Sequence, residues 1–279
     1  MCDAQSSPPG DKRGQEKTDR EQCHASDATG RPAPNCRSER VDGPFASGHE
    51  GRPVRSVEEL ISAEDAWPSV VTAVAATNGR CVILPSEDTR GECLYSLQVT
   101  TRSMLGALAL HCGALLIDHG WVRLFGAGHK GLPSIAAANS LPLPDKSSPS
   151  MLVIGEDVLG GKFAVNGGAL PGAPGEVNFW APDTLAWLSL GMGQGNFVHW
   201  MIGGGASALY ESLRWPGWEA EASAVSLDRG LLLFPPPCTV QGRDTSKASR
   251  RAVPRHELDH WLASLAAVPE GPVKITVVP

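Results

Sequence analysis

Regular apolar patterning begins near residue 55 and predicts three helices and one strand in the first part of the chain. Residues 56–59 (SVEE) match the Ser-x-x-Glu capping box of a helix N-terminus. A proline in the first turn and an Asn-Gly pair at the end bound a second helix, because proline favours helix starts and glycine favours helix ends. The predicted helices are VEELISAE (57–64), the segment from Trp67 to Asn78 and, capped by Ser86, EDTRGECLYSLQ (87–98); the predicted strand is CVIL (81–84).

Short apolar runs between turn residues predict a sheet in the middle of the chain. Three such runs have the spacing of a β-meander: GALALHC (106–112), GALLID (113–118) and WVRLFG (121–126). A short helix, SIAAAN (134–139), precedes further predicted strands, which are MLVIG (151–155), KFAVNG (162–167), EVNFWA (176–181) and GLLLF (230–234). Because helices and strands come in blocks rather than in strict alternation, we predict an α+β fold with a mostly antiparallel central sheet and flanking helices.

Helical spacing dominates much of the last third of the chain. It predicts helices in TLAWLSLG (184–191), FVHWMI (197–202) and ASALYESLRW (206–215), and in a long segment from Pro254 onwards. The glycine-rich stretch GMGQG (191–195) lies between two of these. A dinucleotide-binding loop follows a strand and opens a helix, so this stretch is interpreted as a flexible turn between helices.

Composition divides the 279 residues into two parts. Residues 1–53 are poor in apolar side chains and rich in Ser, Pro, Gly and charge, which predicts a disordered tail, with one α+β domain over 54–279. The tail lacks the apolar core of a secretory signal. The first 55 residues carry nine basic and nine acidic side chains, so the whole net charge of −6 belongs to the rest of the chain.

That charge and the cysteine pattern set expectations for partners and compartment. A mildly acidic domain gives no support for nucleic-acid binding and favours, if anything, a basic protein partner. No apolar run has the length of a membrane span. The seven cysteines form no C-x-x-C pair, so we expect reduced thiols and a cytoplasmic protein. Neither a cofactor nor an oligomeric state is indicated.

The pentapeptide HELDH (256–260) fits the H-E-x-x-H pattern of zinc metalloproteases. On a helical wheel, one apolar stripe collects Leu258, Trp261, Leu262 and Leu265. His256 and His260 fall roughly opposite this stripe, at about 160° to 200° from Leu258. Because the stripe must face the core, the histidines are predicted to face solvent, and no metal site is expected.

Three polar groups remain as candidate binding residues. Thr100, Thr101 and Arg102 combine hydroxyls with a guanidinium, which suits an anion but also fits a structural turn with an ion pair. The segment 118–121 places Asp118 and His119 beside Trp121 in a tight turn, where a turn-stabilising aspartate is the structural alternative.

The third group is the Trp-Pro-Gly-Trp corner at 215–218. Arg214, Trp215 and Trp218 are residue types that dominate interface hot spots, although such a corner is equally typical of a rigid plug on the core. The basic run behind it, interpreted as a solvated loop, contains Arg243, Lys247, Arg250, Arg251 and Arg255.

Several long segments resemble a bacterial family known as domain of unknown function 2625. They include LLIDHGWVRLFGAGH, LVIGEDVLGGKFAVNGG, NFWAPDTLAW and ALYESLRWPGWEAE. The resemblance covers about Val54 to His256 and carries no catalytic residue, because no activity is attached to the family. The order of LPSIAAAN, LVIGEDVLGG, a second strand ending in Asn-Gly, EVNFWA and FVHWMI is also similar, more distantly, to the SUKH superfamily, many of whose members bind and neutralise bacterial toxins.

Two functions from different classes follow. The first is a non-catalytic binding module for a protein partner, such as a toxin, gripped by the sheet or by the Trp215–Trp218 corner. The second is an enzyme acting on a small anionic substrate, with Arg102 as anchor and Asp118 or His119 as acid or base. The second requires those side chains to converge in one pocket.

Overall fold

The computed structural model describes residues 53–142 and 148–267 of the chain. The predicted disordered tail falls outside the described residues, apart from Pro53, and that prediction stays open. Within the described ranges, no helix is long and apolar enough to cross a membrane.

A seven-stranded antiparallel sheet forms the centre of the fold. Its strands lie in sequence order, so that each strand pairs with the one before it and the one after it. They are β1 (Cys81–Leu84), β2 (Ala114–Ile117), β3 (Val122–Phe125), β4 (Met151–Asp157), β5 (Lys162–Asn166), β6 (Glu176–Ala181) and β7 (Ala186–Gly193). The predicted α+β class and the antiparallel sheet are confirmed.

Nine α-helices surround or follow the sheet in the described part of the chain. They are α1 (Val57–Leu60), α2 (Trp67–Ala75), α3 (Glu92–Leu97), α4 (Met104–His111), α5 (Ile135–Ala138), α6 (Gln194–Trp200), α7 (Ala206–Leu209), α8 (Trp218–Ala224) and α9 (Arg255–Ala266). Ser56 and Glu59 form the predicted capping box at α1. A π-helical turn, Met201–Gly205, joins α6 to α7.

The first run of the predicted meander is a helix, so that prediction is wrong. Residues 104–111 form α4, which begins at Ser103, whose hydroxyl accepts from the Gly106 N–H at 3.1 Å. Every residue from Met104 to Ala109 is buried, because α4 packs against α2, α3 and α6. A helix that is apolar all round has no clear period, and its sequence resembles that of a buried strand.

The prediction of a helix at 184–191 is also wrong. Residues 186–193 form β7, which pairs with β6 through register partners such as Phe179 with Leu188 and Ala181 with Ala186. A turn in which the Leu185 N–H donates to the Ala181 carbonyl at 2.8 Å joins the two strands. Pairing with a neighbour decides the structure here, since strand propensity depends strongly on context.

The stretch GMGQG therefore ends a strand and opens α6, rather than linking two helices. The sheet around it is an antiparallel meander and not a parallel βαβ unit, and α6 has only seven residues. This context differs from that of a dinucleotide-binding loop.

A second, two-stranded sheet follows the seven-stranded one. It consists of β8 (Arg229–Phe234) and β9 (Ser249–Pro254), and β9 leads directly into α9. The interpretation of the basic run as a solvated loop is thus wrong for three residues. Arg250 and Arg251 lie on β9, and Arg255 begins α9.

Other helix boundaries also differ from the predictions, three of them by four or more residues. The segment 87–98 is helical only from Glu92, with Gly91 at the N-cap position, and Ser86 instead accepts from the Asp88 N–H at 3.0 Å. The first helix ends at Leu60, and α7 is a single turn, because Tyr210 leaves helical geometry.

Candidate functional site

The predicted turn at 118–121 and the Trp-Pro-Gly-Trp corner meet in space. The Trp121 ring lies 5.5 Å from the Trp215 ring and 5.2 Å from the Trp218 ring, measured between centroids. The guanidinium carbon of Arg214 sits 3.8 Å from the Trp218 centroid and 5.2 Å from that of Trp121, in cation–π geometry. These residues lie at least 90 positions apart from the turn in sequence, so the fold alone brings them together.

Asp118 is the charge partner of this cluster. Arg214 donates from Nη2 to Asp118 Oδ2 at 2.8 Å, and Arg80 Nε lies 3.7 Å from Asp118 Oδ1. The aspartate side chain is only 2% exposed, which makes the pair costly to break. Asp118 and His119 both have left-handed backbone conformations, with φ of 48° and 59°, and the arginines hold this strained turn in place.

The corner is a plug on the core rather than an open contact surface. Trp121 is fully buried and Trp215 is 2% exposed. Trp218 is half-buried and His119 is exposed, with their rings 6.0 Å apart. Only the rim of the cluster is accessible to a partner, so the structural alternative for Arg214, Trp215 and Asp118 has the stronger support.

Thr100, Thr101 and Arg102 lie in a different part of the fold. Thr101 is fully buried and its hydroxyl accepts from the Ser62 N–H at 2.9 Å, while the Thr100 carbonyl accepts from Ser103. Arg102 is 73% exposed and forms an ion pair with the equally exposed Glu64 at 3.2 Å. Within the described residues, no ion pair or hydrogen bond joins Arg102 to Asp118 or His119.

A second group of buried charges was not predicted from the sequence. Glu156, 3% exposed, faces Arg255, Lys162 and Arg123, with nitrogen–oxygen distances of 3.4 Å to Lys162 and 3.9 Å to Arg123. Arg123 also donates to the carbonyls of Leu227 and Arg229 at 2.9 and 2.7 Å. Burial lowers the pKa of Arg123 to about 10, although the charge of Glu156 opposes this shift.

This buried network attaches the β8–β9 hairpin and α9 to the main sheet. The available signal was a charged residue inside an apolar run, Arg123 in WVRLFG and Glu156 at the end of LVIGE. A buried charge requires a partner, but its identity depends on contacts far along the chain. The geometry is that of a structural clamp.

The histidines of HELDH lie where the helical wheel placed them. His256 and His260 are exposed, whereas Leu258 and Leu262 are buried against the sheet. Asp259 forms an ion pair with Lys162 at 2.8 Å. In the part of the chain that the structure describes, no three His, Cys, Asp or Glu side chains are grouped as metal ligands.

A further surface feature is the outer edge of β7, with the groove beside it. Among the described strands, none pairs with the outer side of β7. The strand carries no charged residue over its eight positions, and Leu188 is 56% exposed. Edge strands are usually protected by charge, proline or a covering segment, and an unprotected one is a site for pairing with another chain.

A cavity of about 270 Å³ opens along the first half of this edge. Residues of the β6–β7 hairpin form one wall, and residues in and after α7 form the other. The lining consists of Phe179, Ala181, Asp183, Thr184, Ala186, Trp187, Leu188, Leu209 and Leu213. We call the β7 edge and this cavity the β7 groove.

One charge marks the β7 groove. Asp183 is the single charged residue of the lining and stands at the turn where β7 begins. It forms no ion pair with any described residue. The groove was not predicted from the sequence, because residues 184–191 were predicted to form a helix and residues 186–193 form β7.

Comparison with known proteins places this fold in a family. YbfG of Escherichia coli (strain K12), an uncharacterised protein, is 36% identical over 184 residues, which cover 65% of this chain and 85% of YbfG. An uncharacterised Haemophilus influenzae protein is 27% identical over 187 residues, covering 65% of this chain and 82% of that protein. No solved structure matches the chain significantly. The model of the family "Protein of unknown function DUF2625" matches residues 57–258, and the chain therefore belongs to the DUF2625 family.

Proposed function

We propose that the protein is a binding module that docks an extended segment of a partner protein in the β7 groove. The partner segment adds as an eighth strand to the sheet, and its side chains on one face enter the cavity. Main-chain hydrogen bonds supply affinity in this mode of recognition, and the pockets beside the edge supply specificity. The observation that carries the proposal is the uncharged edge of β7, which pairs with no other described strand and lies next to an apolar cavity.

The size and lining of the cavity favour a side-chain pocket over a small-molecule site. A volume of about 270 Å³ lies below the 300–1,000 Å³ usual for ligand pockets. A cavity of roughly 150 Å³ accepts one benzene, so this one suits one large or two medium apolar side chains. The lining offers Asp183 and Thr184 but no convergent set of acids, bases and donors.

The enzyme alternative has less support from the geometry. It needs Arg102 to anchor an anion beside Asp118 or His119. Arg102 instead pairs with Glu64 at the surface, and the Asp118 carboxylate is buried under Arg214.

A finer proposal is that the partner is a bacterial toxin which the protein neutralises. The net charge of −6 outside the first 55 residues supports a basic partner, since opposite potentials speed association. The test is co-expression with toxins encoded beside the gene. If the wild-type chain restores growth in the presence of one of these toxins and a groove variant does not, the result supports this role. If the wild-type chain restores growth against none of the neighbouring toxins, the result contradicts it.

The docking mode is tested with Leu188→Asn, which removes an apolar wall of the groove at a position already 56% exposed. Its matched control is Val82→Asn, since Val82 is 46% exposed on β1, the opposite edge of the same sheet. We expect a partner captured by the wild-type chain to be retained by Val82→Asn and lost by Leu188→Asn.

Hydrogen exchange then locates the contact. The backbone amides on the outer side of β7 are expected to exchange their hydrogens more slowly when the partner is bound. A partner that binds both variants equally, or protects the Trp218 corner and not β7, contradicts the proposal.

A further inference from the structure

From the β7 groove we infer the chemistry of the segment it accepts: two apolar residues at alternate positions, followed by a lysine or arginine. The inference rests on the proposed function and adds the class of ligand. It has two independent supports, the side-chain directions at the edge and the position of the single charge.

The spacing of the apolar positions follows from the pleat of the sheet. Ala186 and Leu188 are register partners of Ala181 and Phe179, so these four side chains point to the same face and line the cavity. On a strand added beside β7, the residues opposite Ala186 and Leu188 point to that same face, two positions apart. Leu209 and Leu213 complete the cavity wall, so both positions favour apolar side chains.

The charge of the third position follows from Asp183. Its side chain is half-buried at the cavity wall and has no cation partner among the described residues. A carboxylate in a partly desolvated groove favours a cation and disfavours another carboxylate. The ligand therefore carries its basic residue beside the β6–β7 turn.

The order of the three positions follows from strand direction. Antiparallel pairs are slightly more stable per residue than parallel ones. An antiparallel segment passes Leu188 first, then Ala186, and then the turn that holds Asp183. The basic residue thus follows the two apolar residues within the next few positions.

The test is selection from a displayed library of random nine-residue peptides against the full-length protein. We expect the wild-type chain to enrich apolar-x-apolar segments followed by Lys or Arg. Asp183→Lys is expected to keep the apolar preference and to enrich Asp or Glu at the third position. For a selected peptide, replacing its basic residue with Glu is expected to weaken binding to the wild-type chain by up to about fivefold, the upper end of the range for exposed ion pairs, and to strengthen binding to Asp183→Lys.

Further measurements and variants serve as controls for this test. Thermal unfolding verifies that Asp183→Lys is folded, and Asp183→Asn, a smaller change, is expected to abolish the charge preference without reversing it. Leu188→Asn is expected to lose the selected peptides, whereas Val82→Asn retains them.

The possible failures are distinguishable. Peptides that need Leu188 but show no charge preference, or the same preference in Asp183→Lys, overturn the inference and leave the proposed function standing. An absence of any Leu188-dependent peptide overturns both. Slow hydrogen exchange of the β7 edge amides in the isolated monomer would mean that the chain covers its own edge. A concentration-dependent dimer that is lost in Leu188→Asn would mean that a second copy occupies the edge. Either result overturns the inference.

Discussion

Asp157 is a carboxylate buried among hydrogen-bond donors, and no cation of the described residues forms an ion pair with it. The N–H groups of Leu159 and Gly161 both donate to its Oδ1 at 2.8 Å, and the Tyr210 hydroxyl donates to Oδ2 at 2.8 Å. Burial raises the pKa of Asp157 from its ordinary value of 3.8 to about 6, although these hydrogen bonds oppose the shift. The folded state therefore binds this proton more tightly than the unfolded state.

The pH dependence follows in sign. The contribution of Asp157 is fully present below about pH 4 and is lost as pH rises through about 6. We expect the free energy of unfolding to fall by up to about 3 kcal/mol from this group between pH 4 and 7, at about 1.4 kcal/mol per pH unit. Asp157→Asn is expected to remove that part of the slope in urea denaturation across the pH range. An unchanged slope, matching that of the surface control Asp244→Asn, contradicts the assignment.

Arg214 is expected to be the most sensitive position of the tryptophan corner. Arg214→Ala leaves the Asp118 carboxylate buried with its 2.8 Å partner removed, and it strips a cation from the Trp218 face. Loss of one partner of a buried pair costs about 3–5 kcal/mol. Arg214→Lys is expected to recover only part of this, because lysine lacks the planar fork that stacks on an indole.

Urea denaturation measures the loss, and Arg102→Ala is the matched control. The Arg102–Glu64 pair is exposed on both sides, so its removal is expected to change the free energy of unfolding by less than about 0.5 kcal/mol. Equal effects of the two alanine variants count against a structural role for Arg214.

At the scale of elements, Gly106 explains how α4 packs. A Cβ at this position would lie 2.2 Å from the Thr100 carbonyl oxygen, so the helix approaches the preceding turn at a distance that only glycine allows. Gly106→Ala is expected to destabilise the fold by about 3 kcal/mol through overpacking.

The helical glycine Gly195 provides the comparison. A Cβ there meets its nearest neighbour, Met104 Cβ, at an ordinary 3.8 Å. Gly195→Ala is expected to be neutral or stabilising by up to about 1 kcal/mol, because alanine has the higher helix propensity. Thermal denaturation measures the change in stability of both variants. Equal changes for Gly106→Ala and Gly195→Ala contradict the close approach of α4 to the preceding turn.

The elements also show what sequence patterning can and cannot predict. Strands such as CVIL and KFAVN, and the capped start of the helix at residue 57, carry local signals that need no partner, and they were predicted correctly. The segments 106–111 and 186–191 carry no such local signal, because their apolar residues fit both the helical and the strand period. Burial on all sides makes the first a helix, and pairing with β6 makes the second a strand. Because β7 was assigned as a helix, the groove along its edge could not be predicted.

For the candidate site residues too, the sequence predicted the residue types but not their tertiary contacts. Asp118, His119, Trp121, Arg214, Trp215 and Trp218 were chosen for their chemistry, and the fold brings them together. Their burial, which favours a plug, depends on packing that residue types do not reveal. The Glu156 clamp joins positions 123, 156 and 255, and only the tertiary fold relates them.

At the scale of the whole molecule, the segment before Pro53 is expected to contribute nothing to the stability of the fold. The DUF2625 match begins at residue 57, and the charges of the first 55 residues sum to zero, so the segment adds no net long-range electrostatic interaction. A chain beginning at Pro53 is expected to have a free energy of unfolding within about 0.5 kcal/mol of that of the full-length chain, and to bind the same selected peptides.

A slightly longer deletion tests the same boundary from inside. A chain beginning at residue 63 also loses Leu60, which is fully buried and whose carbonyl accepts from the Thr101 N–H at 3.0 Å. Removing that side chain alone costs about 2–5 kcal/mol, so this chain is expected to melt well below the other two. If the chain from Pro53 melts as low as the chain from residue 63, residues before Pro53 contribute to the fold and the boundary predicted at 53/54 is wrong. If all three melt together, α1 is not part of the cooperative unit.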